Sequence, residues 1–399
     1  MSAQVRPGFK LTEIGAIPED WELSELSAVS MTSSGTTPAR SLADRYYRNG
    51  TINWVKTLDL NNSEIADTDE LVTQAALEET CLRVYPEGTV LVAMYGGFNQ
   101  IGRTGVLRIP AAVNQAITAI QTKSALHPEY LLATLNYRVD YWKSVASSSR
   151  KDPNITSQDV RSFKISFPPI KEQRAIATAL SSMDALISGL DQLIAKKRDI
   201  KQASTQQLLT GQQRLQGFSG AWEMKRVGDI FDIFAGGDFE PSNSSPIQDE
   251  KHPFPIFSNS VTDAGLYGYC SYSIYPKNSI TVTARGAVGF ANYRDTPYTA
   301  IGRVLVLQPK IEINCPFYAE FINNKITFVV ESTGVPQLTA PQISKYEIPI
   351  PSCAEQAAIA NILFDMDSEL TALETRRYKA RQFKKGMMQE LLTGRIRLL

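Results

Sequence analysis

Two glycine-rich loops hold the side chains best suited to chemistry. One reads Tyr95-Gly96-Gly97-Phe98-Asn99-Gln100-Ile101-Gly102-Arg103; the other reads Arg285-Gly286-Ala287-Val288-Gly289-Phe290-Ala291-Asn292-Tyr293-Arg294. Carboxamides and guanidiniums between glycines suit hydrogen bonding to a partner that the backbone approaches closely. On a nucleic acid, arginine can take guanine, and asparagine or glutamine can take adenine, through two bonds each; the same donors can hold phosphate. The candidate contacts are Tyr95, Asn99, Gln100 and Arg103 in the first loop, and Arg285, Asn292 and Arg294 in the second. Arg150, Lys151 and Asn154, then Asn259 and Gln337, extend the set. The alternative for both loops is an ordinary turn after a strand. Neither is a nucleotide-phosphate motif: there is no Gly-Lys-Ser/Thr and no Gly-x-Gly-x-x-Gly opening a helix.

Catalytic constellations are missing. The two histidines, His127 and His252, stand at no metal-ligand spacing, and no nucleophile elbow occurs. Asp249-Glu250-Lys251 has the residue types of nuclease chemistry, but His252-Pro253 follows, and a charged loop is the simpler reading. No Asn/Asp-Pro-Pro-Tyr/Phe motif of an amino-methyltransferase appears; Asp152-Pro153-Asn154 is the nearest approach and lacks the aromatic residue. Cys81, Cys270, Cys315 and Cys353 are isolated, match no zinc pattern and suit a reduced cytoplasmic chain. The pattern is that of a recognition part without catalysis, metal or cofactor of its own.

Composition narrows the partner. The chain has 399 residues, 43% apolar and 21% charged, enough for two or more ordinary globular domains. No apolar run reaches membrane-span length, and the segment with Arg6, Lys10 and Glu13 has no signal-peptide core. The 41 basic and 41 acidic residues cancel. A lone DNA-binding domain is usually basic, because phosphate neutralisation supplies much of its affinity. A neutral chain binds DNA strongly only if partners add positive surface or if its own charge is local. Lys196-Lys197-Arg198 with Lys201, and Arg376-Arg377 with Lys379, Arg381 and Lys384-Lys385, are two such clusters; a solvated helix face is the other reading of both.

The loops need domains to position them. Thr89–Met94 and Ser279–Thr283 read as strands entering the two loops, and helices are expected near Pro128-Glu129-Tyr130 and Pro316-Phe317-Tyr318. The domains themselves repeat. Residues 149–215 match 332–398 without a gap: Glu172-Gln173-Arg174-Ala175-Ile176-Ala177 lies on Glu355-Gln356-Ala357-Ala358-Ile359-Ala360. Leu208-Leu209-Thr210-Gly211 lies on Leu391-Leu392-Thr393-Gly394, and Arg214-Leu215 on Arg397-Leu398. Trp21-Glu22 likewise resembles Trp222-Glu223. Unlike segments in a matched frame suggest one scaffold presenting two different reading heads.

The matched segments carry the heptad beat of a coiled coil at Ile176, Leu180, Met183, Ile187, Leu190 and Ile194. The second copy keeps it at Ile359, Leu363, Met366, Leu370 and Leu373. Pro168-Pro169 and Pro349 with Pro351 mark the helix starts; Gly211 and Gly394 sit where caps are expected. Each helix would be about 38 residues, roughly 57 Å long, more than one turn of B-DNA at about 34–36 Å. A twofold relation between the halves would run the helices antiparallel. The alternative is two surface helices, each laid on a globular core. The expected fold is α+β: two globular domains joined by two long helices in an antiparallel coiled coil, pseudo-twofold symmetric. The divisions are 1–165 (N-terminal segment and first domain), 166–216 (central helix), 217–348 (second domain) and 349–399 (C-terminal helix).

These residues resemble a family. Ile17-Pro18-Glu19-Asp20-Trp21-Glu22, the proline-containing strand running twice into Glu-Gln-x-x-Ile-Ala, and Leu-Leu-Thr-Gly ending each helix make the chain similar, over essentially its whole length, to the specificity subunit of type I restriction–modification enzymes. The resemblance implies two target-recognition domains, each reading half of a split double-stranded DNA sequence. It implies two methyltransferase subunits that bind S-adenosylmethionine, clamp the duplex and methylate adenine, and translocating endonuclease subunits that can join to cleave unmodified DNA. The halves depart from each other at the loops. Ala284-Arg285-Gly286 stands against Met94-Tyr95-Gly96, and Thr333-Gly334 against Arg150-Lys151, so one contact list does not serve both domains. Two other classes stay open on residues alone: a coiled-coil scaffold organising proteins without reading DNA, and an enzyme acting alone on nucleic acid, which the missing motifs disfavour.

Overall fold

The computed structural model describes residues 6–97, 99–146, 154–329 and 336–398. The chain divides into two units, Met1–Leu190 with Arg376–Leu399, and Asp191–Thr375. Each unit thus holds one globular domain, part of one long helix and the opposite part of the other.

In the first unit, Val90–Ala93 lies central in a five-stranded sheet ordered Ser30–Ser34, Ile117–Thr122, Val90–Ala93, Thr104–Leu107, Ser63–Ile65. Its continuous Val-Leu-Val-Ala run is buried throughout, as befits a strand covered on both faces. A second sheet runs Glu70–Val72, Ile52–Val55, Ala111–Val113, Val84–Tyr85. The second unit repeats the plan with one strand fewer in its main sheet: Phe231–Ala235, Leu305–Pro309, Ser279–Val282, Ala291–Arg294. The smaller sheet runs Ser244–Ser245, Leu266–Cys270, Phe254–Phe257, Thr299–Ala300. Helices Pro128–Tyr137 and Cys315–Lys325 bury Tyr130 and Tyr318 in the respective cores.

The segments flanking the domains tie each one shut. Glu22–Glu25 pairs antiparallel with Lys164–Phe167, and Glu223–Arg226 with Glu347–Ile350. The second strand of each pair leads directly into a long helix, Ile170–Leu209 or Cys353–Leu391. The helices end at Gly211 and Gly394, both at φ +68°, the left-handed conformation that glycine adopts without a Cβ penalty.

Within the second unit the helices run antiparallel: Lys201 meets Asp367 (2.5 Å), Lys197 meets Glu369 (2.7 Å), and Arg198 pairs with Glu374. In the first unit Lys384 meets Asp184 at 2.5 Å. These pairs engage Lys197, Arg198, Lys201 and Lys384 of the two basic clusters in the helix pair. The heptad beat also proves composite. Ile176 and Leu180 are packed in the first domain's core with Leu391 and Leu392; Ile359 and Leu363 are packed in the second's with Leu208 and Leu209. Leu190 and Ile194 are buried, whereas Met183, Ile187, Met366, Leu370 and Leu373 are half-buried. The opening positions of each stripe therefore bury against a domain, and only the later ones are free for the helix pair.

The repeated motif residues meet at one joint in each unit. Gln173 accepts from His127 N (2.8 Å) and donates to Pro168 O (2.8 Å); Gln356 accepts from Asn314 N (2.8 Å) and donates to Pro351 O (2.8 Å). Each glutamine thus fastens the residue preceding its domain's helix. The neighbouring glutamates are buried and face the arginine that follows Leu-Leu-Thr-Gly. Arg214 donates Nε and Nη2 to Glu355 (2.6 and 2.7 Å), and Arg397 does the same to Glu172 (2.8 and 2.7 Å). The guanidiniums lie 5.3 Å and 6.0 Å from the ring centres of Trp222 and Trp21. A buried carboxylate needs such a fork: unpaired, it would carry a large desolvation penalty.

The four thiols are free. Burial pushes the Cys315 thiol up to about 12, while Cys81 and Cys353 are exposed. Iodoacetamide at about pH 8 is expected to alkylate the exposed Cys81 and Cys353 and to spare the buried Cys270 and Cys315 until the chain is denatured. Peptide mass spectrometry before and after denaturation checks this; rapid labelling of Cys315 in the folded chain would contradict it.

Candidate nucleic-acid interface

Strand Ser279–Val282 carries the second loop out of its sheet, and Ala291–Arg294 brings it back antiparallel. Thr283 closes the turn: its N donates to Phe290 O (2.9 Å), and its Oγ1 accepts from Phe290 N (2.9 Å) and donates to Ala287 O. Gly286 and Gly289 are left-handed, so the glycines shape a tight turn as well as a close approach. Across the turn, Leu338 N donates to Ala284 O at 2.8 Å, and Arg285 and Gln337 pair as an isolated antiparallel bridge. The fold therefore brings together two candidates 52 positions apart, as their numbers give, and both are exposed. Asn323, on the helix Cys315–Lys325, pins the returning strand by accepting from Ala291 N (2.7 Å) and donating to Ala291 O (2.8 Å). Nothing in the sequence pattern singled out Asn323, because its partner is a backbone peptide 32 residues away.

Two candidates in this domain change meaning. Arg294 is 5% exposed; its Nε donates to Thr281 Oγ1 (2.9 Å), its Nη2 to Ala264 O (2.6 Å), and its carbon lies 3.4 Å from the centre of the Phe257 ring. Burial pushes its guanidinium down to about 10. It ties strands together and is withdrawn as a nucleic-acid contact. Asn259 accepts from Ala284 N at 2.7 Å and donates to Gly302 O, so its carboxamide is spent on holding loops. Asn292 is half-buried within the returning strand.

The first domain's loop leaves Val90–Ala93 and returns as Thr104–Leu107. Ala93 N bonds Arg103 O (2.8 Å) and Gly102 N bonds Ala93 O (2.9 Å). Gly102 sits at φ +75° with Trp142 where a Cβ would be. Arg103 Nε donates to Asn99 O at 3.1 Å, and the Gln100 side chain occupies the space beside Gly96. Gln100 and Arg103 therefore help to fold the loop, while Tyr95 and Asn99 are exposed on it. Ile155 N bonds Met94 O at 3.0 Å, which brings half-buried Asn154 beside the loop just as Gln337 is brought beside Arg285. Arg150 and Lys151 lie outside the described residues. The suspected nuclease-like cluster is a turn, with Asp249 accepting from Lys251 N (2.9 Å) and His252 N (2.7 Å).

Each domain thus presents one glycine-shaped loop joined by a backbone bond to the segment that precedes the strand entering the long helix, with different side chains at the tips. No helix among the described residues is long and apolar enough to cross a membrane. The chain is similar to the MjaIX type I restriction enzyme specificity subunit of Methanocaldococcus jannaschii, 25% identical over 379 residues that span 86% of each chain. Its fold is similar to the crystal structure of the type I restriction–modification S subunit from M. genitalium, with a TM-score of 0.62 at 15% identity over 96% of this chain and 98% of that one. A second solved chain concerns complex assembly and conformational transition of the type I system; it matches with a TM-score of 0.55 at 14% identity over 95% of this chain and 99% of that one. The model of the type I restriction modification DNA specificity domain matches residues 18–197 and again 220–380. With both of its halves matched, the chain belongs to the type I restriction–modification DNA specificity family.

Proposed function

We propose that the chain reads a bipartite double-stranded DNA target, one half with each domain, and directs adenine methylation, and restriction where a cleaving subunit joins, by partner subunits in the cytoplasm. The observation that carries this reading is one frame holding two unlike tips: the same strand–loop–strand and the same backbone tie present Tyr95 in one domain and Arg285 in the other. Contacts to base edges specify sequence and contacts to phosphate position the protein, so unlike tips in a like frame suit two different half-sites. The chain itself is non-catalytic on this reading, and S-adenosylmethionine belongs to two methyltransferase partners. The neutral net charge supports dependence on those partners for affinity, and the solved neighbour concerned with complex assembly is in keeping with it.

The test exchanges residues 217–348 for the matching segment of a relative of different specificity, in complex with the methyltransferase. Long-read mapping of methylated adenines is expected to show one half of the motif changed and the other kept. A motif altered in both halves, or in neither, sinks the reading. Robust methylation by the purified chain alone would sink its non-catalytic part.

A further inference from the structure

Asn259 does not sit at a loop tip; it ties two tips together. Its Oδ1 accepts from Ala284 N at 2.7 Å and its Nδ2 donates to Gly302 O. The residue after each tied group is an arginine, Arg285 or Arg303. Both are exposed, and neither guanidinium has a hydrogen bond or ion pair among the described residues. Among the other cations of this unit, Lys310 pairs with Asp232, Lys225 with Glu223, and Arg294 is buried.

The backbone at Arg303 is built for display. Gly302 N donates to Gly237 O and Arg303 N to Gly236 O, both at 3.1 Å. The approach is close enough that a Cβ on Gly236 would lie 2.8 Å from Ala300 O. The clasp leaves Gly302 at φ +64° and Arg303 at φ +67°. Glycine would take the second position more readily than arginine, and strained backbone of this kind gathers at functional sites.

The first unit has part of the same frame without the arginines; its Ala116 N bonds Asn114 Oδ1 at 3.1 Å, where Arg303 N bonds Gly236 O. Gly35 N bonds Ile117 O (3.2 Å) and Thr36 N bonds Val113 O (3.0 Å), matching Gly236 N to Val304 O (2.7 Å) and Gly237 N to Ala300 O (3.2 Å). On this matching Arg303 falls on Ala116, as Arg285 falls on Tyr95. Met94 N there bonds Ala116 O directly at 2.8 Å, where the second unit inserts the Asn259 carboxamide. The two units therefore share two backbone bonds of the frame and differ at these tips by the Asn259 tie, the left-handed pair Gly302–Arg303 and two guanidiniums.

We propose that Arg303 is a specificity-determining residue of the second domain, reading guanine in the major groove together with Arg285, and that Asn259 is the positioning residue that holds both in register. An arginine fork matches guanine O6 and N7. The proposal rests on the reading that residues 217–348 recognise one half-site.

The test uses the full chain in its methyltransferase complex and a panel of duplexes with each base pair of the second half-site changed in turn. Arg303→Gly accepts the left-handed backbone, and Arg303→Asn tolerates it, so either keeps the fold. Each is expected to cut methylation of the cognate duplex roughly ten- to a hundred-fold. Each should also lose discrimination at one guanine, different from the one lost in Arg285→Ala, with the first half-site unchanged. Asn259→Ala should relax both positions. Unchanged discrimination overturns the proposal. So does a uniform loss across the panel with a shallower salt dependence, which is the signature of a phosphate contact. If Arg285→Ala and the domain exchange alter the half-site while the Arg303 variants do not, only this proposal fails; if none of them alters it, the half-site reading fails as well.

Discussion

Replacing Gly35 with alanine is expected to cost about 3 kcal/mol of stability, at the upper end for overpacking because backbone blocks the added methyl. A Cβ there would lie 2.1 Å from Val113 O and 2.3 Å from Asn114 O. Neither oxygen can swing aside as a side chain would, and moving Val113 breaks its bond from Thr36 N. Thr36 O also accepts from Trp54 Nε1 at 3.2 Å, so the disturbance reaches the smaller sheet. Gly236→Ala provides the internal scale: its nearest obstacle, Ala300 O, is 2.8 Å away, and the loss should be smaller. Urea unfolding of both variants checks the order. Equal midpoints for wild type and Gly35→Ala, or a larger loss in Gly236→Ala, would show that the strand-loop contact is not as close as described.

Arg397→Ala is expected to destabilise the chain by a similar amount, about 3 kcal/mol, the lower end of the cost of breaking a buried pair because the arginine is a quarter exposed. The side chain of Glu172 is only 4% exposed and would lose its guanidinium partner in the core. Arg397 also forks to Asp20, Nη1 to Oδ1 at 2.8 Å and Nη2 to Oδ2 at 2.7 Å. Lysine cannot reproduce two forks from one point charge, so Arg397→Lys should recover little. The acid limb carries a second signature. The hydrogen bond from Arg397 holds the Asp20 carboxyl below its ordinary 3.8. A depressed folded-state value contributes stability that is fully present above the ordinary value and is lost as pH falls through the depressed one. That loss below about pH 4 should be present in the wild type and flattened in Arg397→Ala; parallel acid limbs would contradict the assignment.

The helices, their caps and the strands entering both loops could be read directly, because those features are local: proline starts, glycine ends, runs such as Val90–Ala93. What each apolar stripe packs against was not legible. Ile176 and Leu180 obey the same spacing as Leu190 and Ile194, yet the first two bury in a domain core, and periodicity fixes a face without naming its partner. The site divided in the same way. Arg285 was found from its glycine neighbours. Arg294, nine residues on in the same loop motif, turned inward because Thr281 and Phe257 receive it, and alternation along a strand decides that only once the pairing is known. Arg303 stood outside any motif; its place beside Arg285 comes from a carboxamide on a third segment. The repeated Glu-Gln pair was visible as a match, but its task of joining a helix to the domain before it required the contacts.

The division of the chain into units has a consequence for the order of events on the ribosome. Residues 191–375 form one contiguous stretch, whereas the other unit needs 1–190 and then 376–399. Domains generally fold as they are completed during synthesis. Here the half translated first must wait, with the sites for Leu391, Leu392 and Arg397 unfilled, until the half translated second has been made and passed. The later-made domain can finish first, and a premature stop near residue 376 would release a chain whose second domain is whole and whose first lacks its closing helix.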